Sequence, residues 1–436
     1  MKLKPASRVR GQLRLPGDKS ISHRAALVAA LATGVSHLSN FSLSRDCAAT
    51  LSCLEQLGVV ITRDGTNGNW TVEGRHELAE SIMPLDCGNS GSTMRMLAGV
   101  LATQNFTSTL TGDASLRSRP MERIIEPLER MGARLSAREG KPPITVCGSN
   151  ALTPIQYRMP VASAQVKSCI LFAGLGANGR TEVVETSSSR DHTERIFNAF
   201  GVSVKTQTER SGRSIITLEG PARFTAARIS IPGDISSAAY FIAATLLLPG
   251  SQLLIKGLGL NPTRTEFLSV LRSWGADMTT TELQTECNEP VGTLRVSSSS
   301  DNALRSNGER RLAPSQIPLL IDELPLLAVV GTQIAGGLEI RNAKELRVKE
   351  TDRLAATVKN LRAMGADVEE YDDGLAVSGP TRLRGAVVDS FGDHRIAMGF
   401  AVAALVAEGE TEIIGEECVD ISFPEFFQLL EMVVER

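Results

Sequence analysis

Six polar clusters recur along the 436-residue chain, each holding residues able to grip an anion or move a proton. The first is Lys19, Ser20 and Arg24 in LPGDKSISHRAAL. The later ones are Asn89 to Arg95, Ser163 to Lys167, Asp234 to Ser237, Asp322 with Glu323, and Asp393 to Arg395. Behind each runs a stretch that is apolar on every side, which predicts a helix about three turns long buried in a core. The first turn of such a helix carries unpaired N–H groups and roughly half a positive charge. Lys19 and Arg24 add cations to an end that is already positive, an arrangement that makes sense where something negative binds. Gly91 lets a ligand approach backbone N–H groups closely. Arg119, ahead of Pro120 at the first position of a predicted helix, and Arg190 in SSSRDHTER stand at equivalent turns. Planar guanidinium groups hold carboxylate or phosphate in bidentate fashion. The densest stretch is RVKETDR, Arg347 to Arg353, which reads as the first turns of a helix. There Lys349 and Arg353, an i,i+4 pair, reach the same side, and Glu350 is displaced from it. A carboxylate such as Asp322 in a cation-lined site stays ionised and can take a proton from a substrate hydroxyl.

These residues must be positioned by a repeat. After a predicted strand at Val35 to Phe41, Ser44 caps a helix whose apolar face is Cys47, Leu51, Leu54 and Leu57, and Gly58 fits the left-handed position behind it. Val59 to Thr62 and Trp70 to Glu73 follow as strands joined through Asp64-Gly65. The unit is β-α-β-α-β-β, about seventy residues long. Its ending returns around Gly132, Gly201, Gly275 and Gly365. The sixth copy runs out of chain after a helix at Ser422 to Val434, so Met1 to Leu15 is expected to complete it. LPGD at Leu15 to Asp18 and IPGD at Ile231 to Asp234 mark the hinge. The expectation is an α/β protein of two domains, each of three βαβαββ repeats. One is residues 17–231, and the other, discontinuous, is 1–16 with 232–436. The ligand site is expected in the cleft of two such domains. Ser297 to Ser315, polar and rich in Ser and Arg, reads as an exposed loop inserted in the fifth copy.

Composition narrows the function. A net charge of -3 with interspersed signs argues against nucleic acid or a membrane surface as partner, and at 4% aromatic residues there are few base-stacking platforms. The N-terminal segment has no apolar core of a signal peptide, and no run is long enough to span a bilayer, so a soluble cytoplasmic protein is expected. Seven cysteines without a C-x-x-C and five scattered histidines give no metal signal.

PGDKSISHR, GNSGSTMR, SRP at Ser118 to Pro120, SAQVKS, RVKETDR and GDHR together resemble the signature blocks of the 5-enolpyruvylshikimate-3-phosphate synthase family, and the match runs from about Leu15 to Phe427. The resemblance implies the enolpyruvyl transferase-like inside-out α/β barrel and transfer of the enolpyruvyl group of phosphoenolpyruvate to the 5-hydroxyl of shikimate 3-phosphate. It implies no cofactor, and a monomer. By resemblance Lys19 touches both substrates, while Ser20, Arg24, Ser163, Gln165 and Arg190 hold shikimate 3-phosphate, with Gln165 also facing the donor. Gly91, Arg119, Arg353 and Arg395, with Asn89 nearby, hold phosphoenolpyruvate. Asp322 takes the hydroxyl proton, Lys349 bridges Asp322 and that hydroxyl, and Glu350 handles the proton at the methylene carbon.

Some positions depart from the family pattern. Ile421 stands where many relatives have a lysine, and Ala164 where a second serine is common. Retained Gly91 predicts appreciable inhibition by glyphosate competing with phosphoenolpyruvate. Two rival readings fit the residues less well. A transferase acting on UDP-N-acetylglucosamine would have Lys-Asn near its start and a Cys-bearing loop, whereas Lys19 is followed by Ser20 and no Cys lies near Arg119. A purely anion-binding module gains nothing from buried acids such as Asp322 and Glu350.

Overall fold

The computed structural model describes residues 1–65, 68–209, 212–299, 304 and 311–436. Twelve helices of eight residues or more lie among them. They are α1 (Lys19–Leu31), α2 (Arg45–Gln56), α3 (Gly91–Ala102), α4 (Glu122–Arg130), α5 (Ala164–Gly174), α6 (His192–Ala199), α7 (Ile235–Leu247), α8 (Glu266–Ser273), α9 (Leu324–Gly331), α10 (Arg353–Ala363), α11 (His394–Val406) and α12 (Phe426–Val433). The odd-numbered helices are the all-apolar stretches of the sequence, and they are buried along nearly their whole length. A helix without a polar face must be enclosed. The even-numbered helices are amphipathic or shorter, and each follows its partner in the same copy.

The chain forms two compact units: Met1–Leu15 with Gly233–Gln284 and Pro290–Arg436, and Pro16–Pro232 with Thr285–Glu289. They are called here the terminal unit and the inserted unit. Each has its own apolar core built on three odd-numbered helices. In the inserted unit α3 and α5 approach so closely that a Cβ on Gly99 would lie 2.2 Å from the Cys169 carbonyl oxygen. Only glycine permits that crossing.

Four of the six sheets among the described residues follow one plan, in which a copy's opening strand runs parallel to the strand after its buried helix and an antiparallel hairpin completes the row. In the inserted unit the rows include Leu85–Asp86, Thr107–Thr111, Lys141–Cys147 and Arg134–Arg138, then Gln156–Arg158, Gly179–Glu185, Ser214–Gly220 and Val204–Thr208. The strand ahead of the first copy pairs elsewhere, and Arg228–Ser230, from the far end of the unit, pairs parallel with Gly34–Ser39 in its place. Among the described residues no sheet closes on itself: the sheets have three to five strands each, with helices buried behind them.

The N-terminal segment divides its work between two copies, which the sequence reading did not anticipate. Lys2–Leu3 pairs antiparallel with Thr411–Ile414 and completes the sixth row as expected. Arg8–Arg14 instead pairs parallel with Gln252–Gly259 as the opening strand of the fourth copy, and Val434–Glu435 covers its other edge. An edge strand with apolar residues on one face is stable only when paired. The expected loop over Ser297 to Ser315 falls mostly outside the described residues. Of its described part, Ser299, Arg311, Ala313, Pro314 and Ser315 are exposed, whereas Ser298, Leu304 and Leu312 are buried.

Candidate functional site

The polar clusters fold as helix starts because their own side chains cap them. Asp18 accepts from Ile21 N–H, Ser90 from Thr93, Ser163 from Val166, Asp234 from Ser236 and Asp393 from Arg395. Each such cap stabilises its helix by about 1 kcal/mol. Glu323 precedes α9 without a side-chain cap bond.

In the inserted unit the starts of α1, α3 and α5 carry a connected polar surface. Lys19, the first residue of α1, places Nζ 2.7 Å from Asp46 Oδ2 at the start of α2. Here is a negative partner for the positive helix end. Buried Arg24 donates from Nε to Thr193 Oγ1 at 2.7 Å, from Nη2 to Ser168 Oγ at 2.8 Å and from Nη1 to the Ser20 carbonyl at 2.8 Å. One turn into α3, Arg95 donates to Gln165 Oε1 at 2.7 Å, and Gln165 Nε2 donates to Ser92 Oγ at 2.8 Å. Arg119 donates to Asn89 Oδ1 at 2.8 Å and to Ser115 Oγ at 3.1 Å. A Cβ at Gly91 would stand 2.6 Å from Arg95 Nη1 and 3.5 Å from Arg119 Nη1. The first turn of α3 is therefore faced by two guanidinium groups, and Arg95 packs so closely over residue 91 that a side chain there would have to displace it. Arg190 stands one residue before Asp191, the N-cap of α6. Arg119 ends the short helix Ala114–Ser118; the next helix starts only at Glu122, capped by Met121. The expected placement of Pro120 at a first helical position is thus displaced by two residues.

In the terminal unit Arg353 is the centre. It is 2% exposed, and its Nε lies 2.7 Å from Asp393 Oδ2, its Nη2 2.7 Å from Glu350 Oε2 and its Nη1 3.4 Å from Asp322 Oδ1. Arg395 reaches the other side of Asp322, with Nη2 3.5 Å from Oδ2 and Nη1 donating to the Asp322 carbonyl at 3.1 Å. Burial works against both guanidinium charges. For Arg353 the charges of Asp393 and Glu350, and for Arg395 that of Asp322, outweigh it, so both pKa values lie above the usual arginine range.

The RVKETDR stretch differs from its sequence reading. Lys344–Val348 is a short 3₁₀ turn, Lys349 and Glu350 are outside any helix, and α10 begins at Arg353 with Asp352 as N-cap, accepting from Ala355 N–H at 3.0 Å. Lys349 and Arg353 therefore do not share a helix face. Lys349 Nζ pairs with Glu345 at 2.7 Å, while Glu350 joins Arg353 directly. Asp322, Glu350, Arg353 and Arg395 come together, and Lys349 is not hydrogen-bonded to Asp322.

Several neighbours had no role assigned from sequence, although Arg95, Ser236, Glu323 and Asp393 stand in the polar clusters. Arg95, Asp46 and Asp393 hold or flank the expected residues, and Ser236 and Glu323 bond one another beside Arg264, whose Nη2 is 2.6 Å from Ser236 Oγ. Their signal was available in part, since each lies within the first turns of a repeat copy. Ile421 packs against the terminal unit's core, and no cation stands at that position. Ala164 is the first residue of α5, beside its Ser163 cap. Among the described residues no group of three or more His, Cys, Asp or Glu is placed to hold a metal ion.

A family profile described as EPSP synthase (3-phosphoshikimate 1-carboxyvinyltransferase) matches residues 3–430. A Koribacter versatilis (strain Ellin345) protein named 3-phosphoshikimate 1-carboxyvinyltransferase is 51% identical over 437 residues, covering 100% of this chain and 99% of its own. One of the same name from Geobacter sp. (strain M21) is 46% identical over 436 residues, covering 100% of this chain and 99% of its own. The solved structure of EPSP synthase from Acinetobacter baumannii is similar with a TM-score of 0.86 at 38% identity, covering 99% of this chain and 98% of that one.

Proposed function

The chain belongs to the EPSP synthase family of 3-phosphoshikimate 1-carboxyvinyltransferases, and from that premise we propose how its residues divide the work. The reaction moves the enolpyruvyl group of phosphoenolpyruvate to the 5-hydroxyl of shikimate 3-phosphate and releases phosphate, a step in aromatic amino-acid biosynthesis. Two phosphates and two carboxylates enter with these substrates, which accounts for the many arginines at helix starts.

On this reading Arg24, Ser20, Ser163, Gln165 and Arg190 hold shikimate 3-phosphate. Lys19 touches both substrates once an incoming anion competes with Asp46 for its ammonium. Gly91, Asn89, Arg119, Arg353 and Arg395 serve phosphoenolpyruvate, with Gln165 facing both, and Arg95 is a further cation at the same helix start. Glyphosate, itself an anion, would compete with phosphoenolpyruvate for the guanidinium groups that face Gly91.

The observation carrying the proposal is the Asp322 carboxylate lying 3.4 Å from Arg353 and 3.5 Å from Arg395, with Glu350 on the same guanidinium as Asp322. An ionised carboxylate so held is a base fixed in direction, and it takes the hydroxyl proton as oxygen attacks the donor's C2. Glu350, protonated once it leaves Arg353, delivers a proton to the methylene carbon as the adduct forms and takes one back from the resulting methyl group as phosphate departs, which restores the enol ether. Arrival of the donor's anionic groups competes with Glu350 and Asp322 for Arg353, which frees both carboxylates for proton transfer as binding occurs. Lys349 would leave Glu345 to bridge Asp322 and the hydroxyl. The positive groups then stabilise the tetrahedral adduct and the departing phosphate.

Phosphate release from phosphoenolpyruvate, measured with and without shikimate 3-phosphate, tests this assignment. Asp322→Asn should bind shikimate 3-phosphate and lose turnover by about 10²–10⁴-fold, the usual worth of a general base. Full activity in that variant would remove Asp322 from the role. We further propose a cytoplasmic monomer. No helix among the described residues is long and apolar enough to cross a membrane, and light scattering of the purified protein would check the mass.

A further inference from the structure

Lys167 belongs to the third polar cluster and has no part in the roles given above. Its side chain is 1% exposed, and its Nζ lies 3.1 Å from Glu185 Oε2 and 2.7 Å from Glu194 Oε1. Both carboxylates are buried as well. Burial acts to lower the Lys167 pKa, and the charges of Glu194 and Glu185 outweigh it, so the ammonium keeps its proton. Glu185 accepts a further hydrogen bond from Ser189.

A buried ionic triad is a poor way to gain stability, because desolvating three charges costs about as much as their attraction returns. Glu194 Oε2 has no hydrogen-bond partner among the described residues, so the cluster is not saturated either. What the triad does is join three elements. Lys167 lies on α5, two residues after Gln165 and one before Ser168. Glu185 ends the strand Gly179–Glu185, and Glu194 lies in the first turn of α6, next to Thr193. Ser168 and Thr193 are the two hydroxyls that receive Arg24, and they contact one another at 2.6 Å. The segment 186–191, which carries Arg190, is closed at one end by Glu185 and at the other by the start of α6.

We propose that Lys167 is a positioning residue for shikimate 3-phosphate. By clamping Glu185 and Glu194 it fixes the segment bearing Arg190 and keeps Ser168 and Thr193 in register to seat the Arg24 guanidinium. The proposal rests on the reading that Arg24 and Arg190 hold that substrate. A charged clamp suits this task better than an apolar contact, since three directed ionic contacts set angles as well as distances, whereas apolar packing tolerates sliding.

The test is steady-state kinetics with each substrate varied in turn, together with calorimetric binding of shikimate 3-phosphate, on Lys167→Met, Glu194→Gln and the charge-free K167M/E185Q/E194Q protein. In Lys167→Met the KM for shikimate 3-phosphate should rise on the order of tenfold to a hundredfold, as displacements near 1 Å do. The KM for phosphoenolpyruvate should stay within about twofold, so that the loss is confined to one substrate. The charge-free triple removes the uncompensated buried charge, and it should fold with an undiminished Tm yet keep the raised KM. Glu194→Gln, which is isosteric, should show a smaller rise of the same kind and carries the test if the Lys167 variants do not fold. A folded variant with wild-type KM for shikimate 3-phosphate, or an equal rise for both substrates, overturns the proposal. Arg24→Ala and Arg190→Ala separate the two levels. Unchanged binding of shikimate 3-phosphate there sinks the underlying reading, whereas weakened binding there beside a wild-type triple variant sinks only the role of Lys167.

Discussion

His23 shows how a site built for anions constrains the residues beside it. It is fully buried on α1 with Nδ1 2.7 Å from Thr50 Oγ1, and that hydroxyl continues to Thr93 Oγ1 at 2.7 Å on α3. Burial, then the charges of Lys19 and Arg24, push its pKa well below 6.5. The folded protein therefore cannot take a proton there while the unfolded chain can, so stability is present above pH 6.5 and falls as the pH drops below it. The slope from this residue is about 1.4 kcal/mol per pH unit. In His23→Gln, urea unfolding between pH 5 and 7 should show a shallower pH dependence by about that amount. An unchanged slope would mean that other groups govern the acid limb. Residue types alone marked the cationic cluster, whereas the neutrality of His23 follows from its burial, which the sequence did not reveal.

The most regular feature among the elements is the way the first five even-numbered helices end. Gly58, Gly132, Gly201, Gly275 and Gly365 all have positive φ, between 82° and 97°. In each, the glycine N–H and that of the next residue return to carbonyls of the last turn, as in Gly275 to Arg272 and Ala276 to Leu271. Sequence spacing was enough to find these stops, because only glycine adopts that backbone cheaply. At Gly275 no atom lies within 4 Å of an added Cβ, so Gly275→Ala meets strain without a clash. It should destabilise the terminal unit by about 1–2 kcal/mol, the cost of a left-handed alanine. Buried Trp274 next to it supplies the fluorescence signal for the urea titration, and a midpoint equal to wild type would refute the strain argument. The start of α10 was less legible. Lys349 and Glu350 have helix-compatible spacing to Arg353, but Asp352 caps the helix behind them, and a side-chain cap overrides weak propensity.

Over the whole chain, each unit takes an opening strand from a distant part of the sequence: Arg228–Ser230 serves the first copy and Arg8–Arg14 the fourth. The terminal unit depends also on Lys2–Leu3, where Leu3 is 2% exposed and Met1 N–H donates to the Ile413 carbonyl at 2.9 Å. Removing Met1 to Pro5 takes away that edge and about 2 kcal/mol of apolar burial. Hydrogen exchange should then quicken at Thr411–Ile414 and remain slow in α1 and α3, and unaltered protection at 411–414 would show that the strand does not hold that edge. By itself the amino-acid order determined the repeat, its buried helices, its glycine stops and the cationic character of the polar clusters. Each of these depends on neighbours a few residues apart, where side-chain period and backbone preference act directly. Tertiary structure alone decided which carboxylate meets which guanidinium and which strand closes each row. Arg353 finds Asp393 and Asp322, and Arg8–Arg14 finds Gln252–Gly259, across long loops whose closure depends little on length. Such pairings are chosen by packing and charge in the folded core, where no local spacing records them.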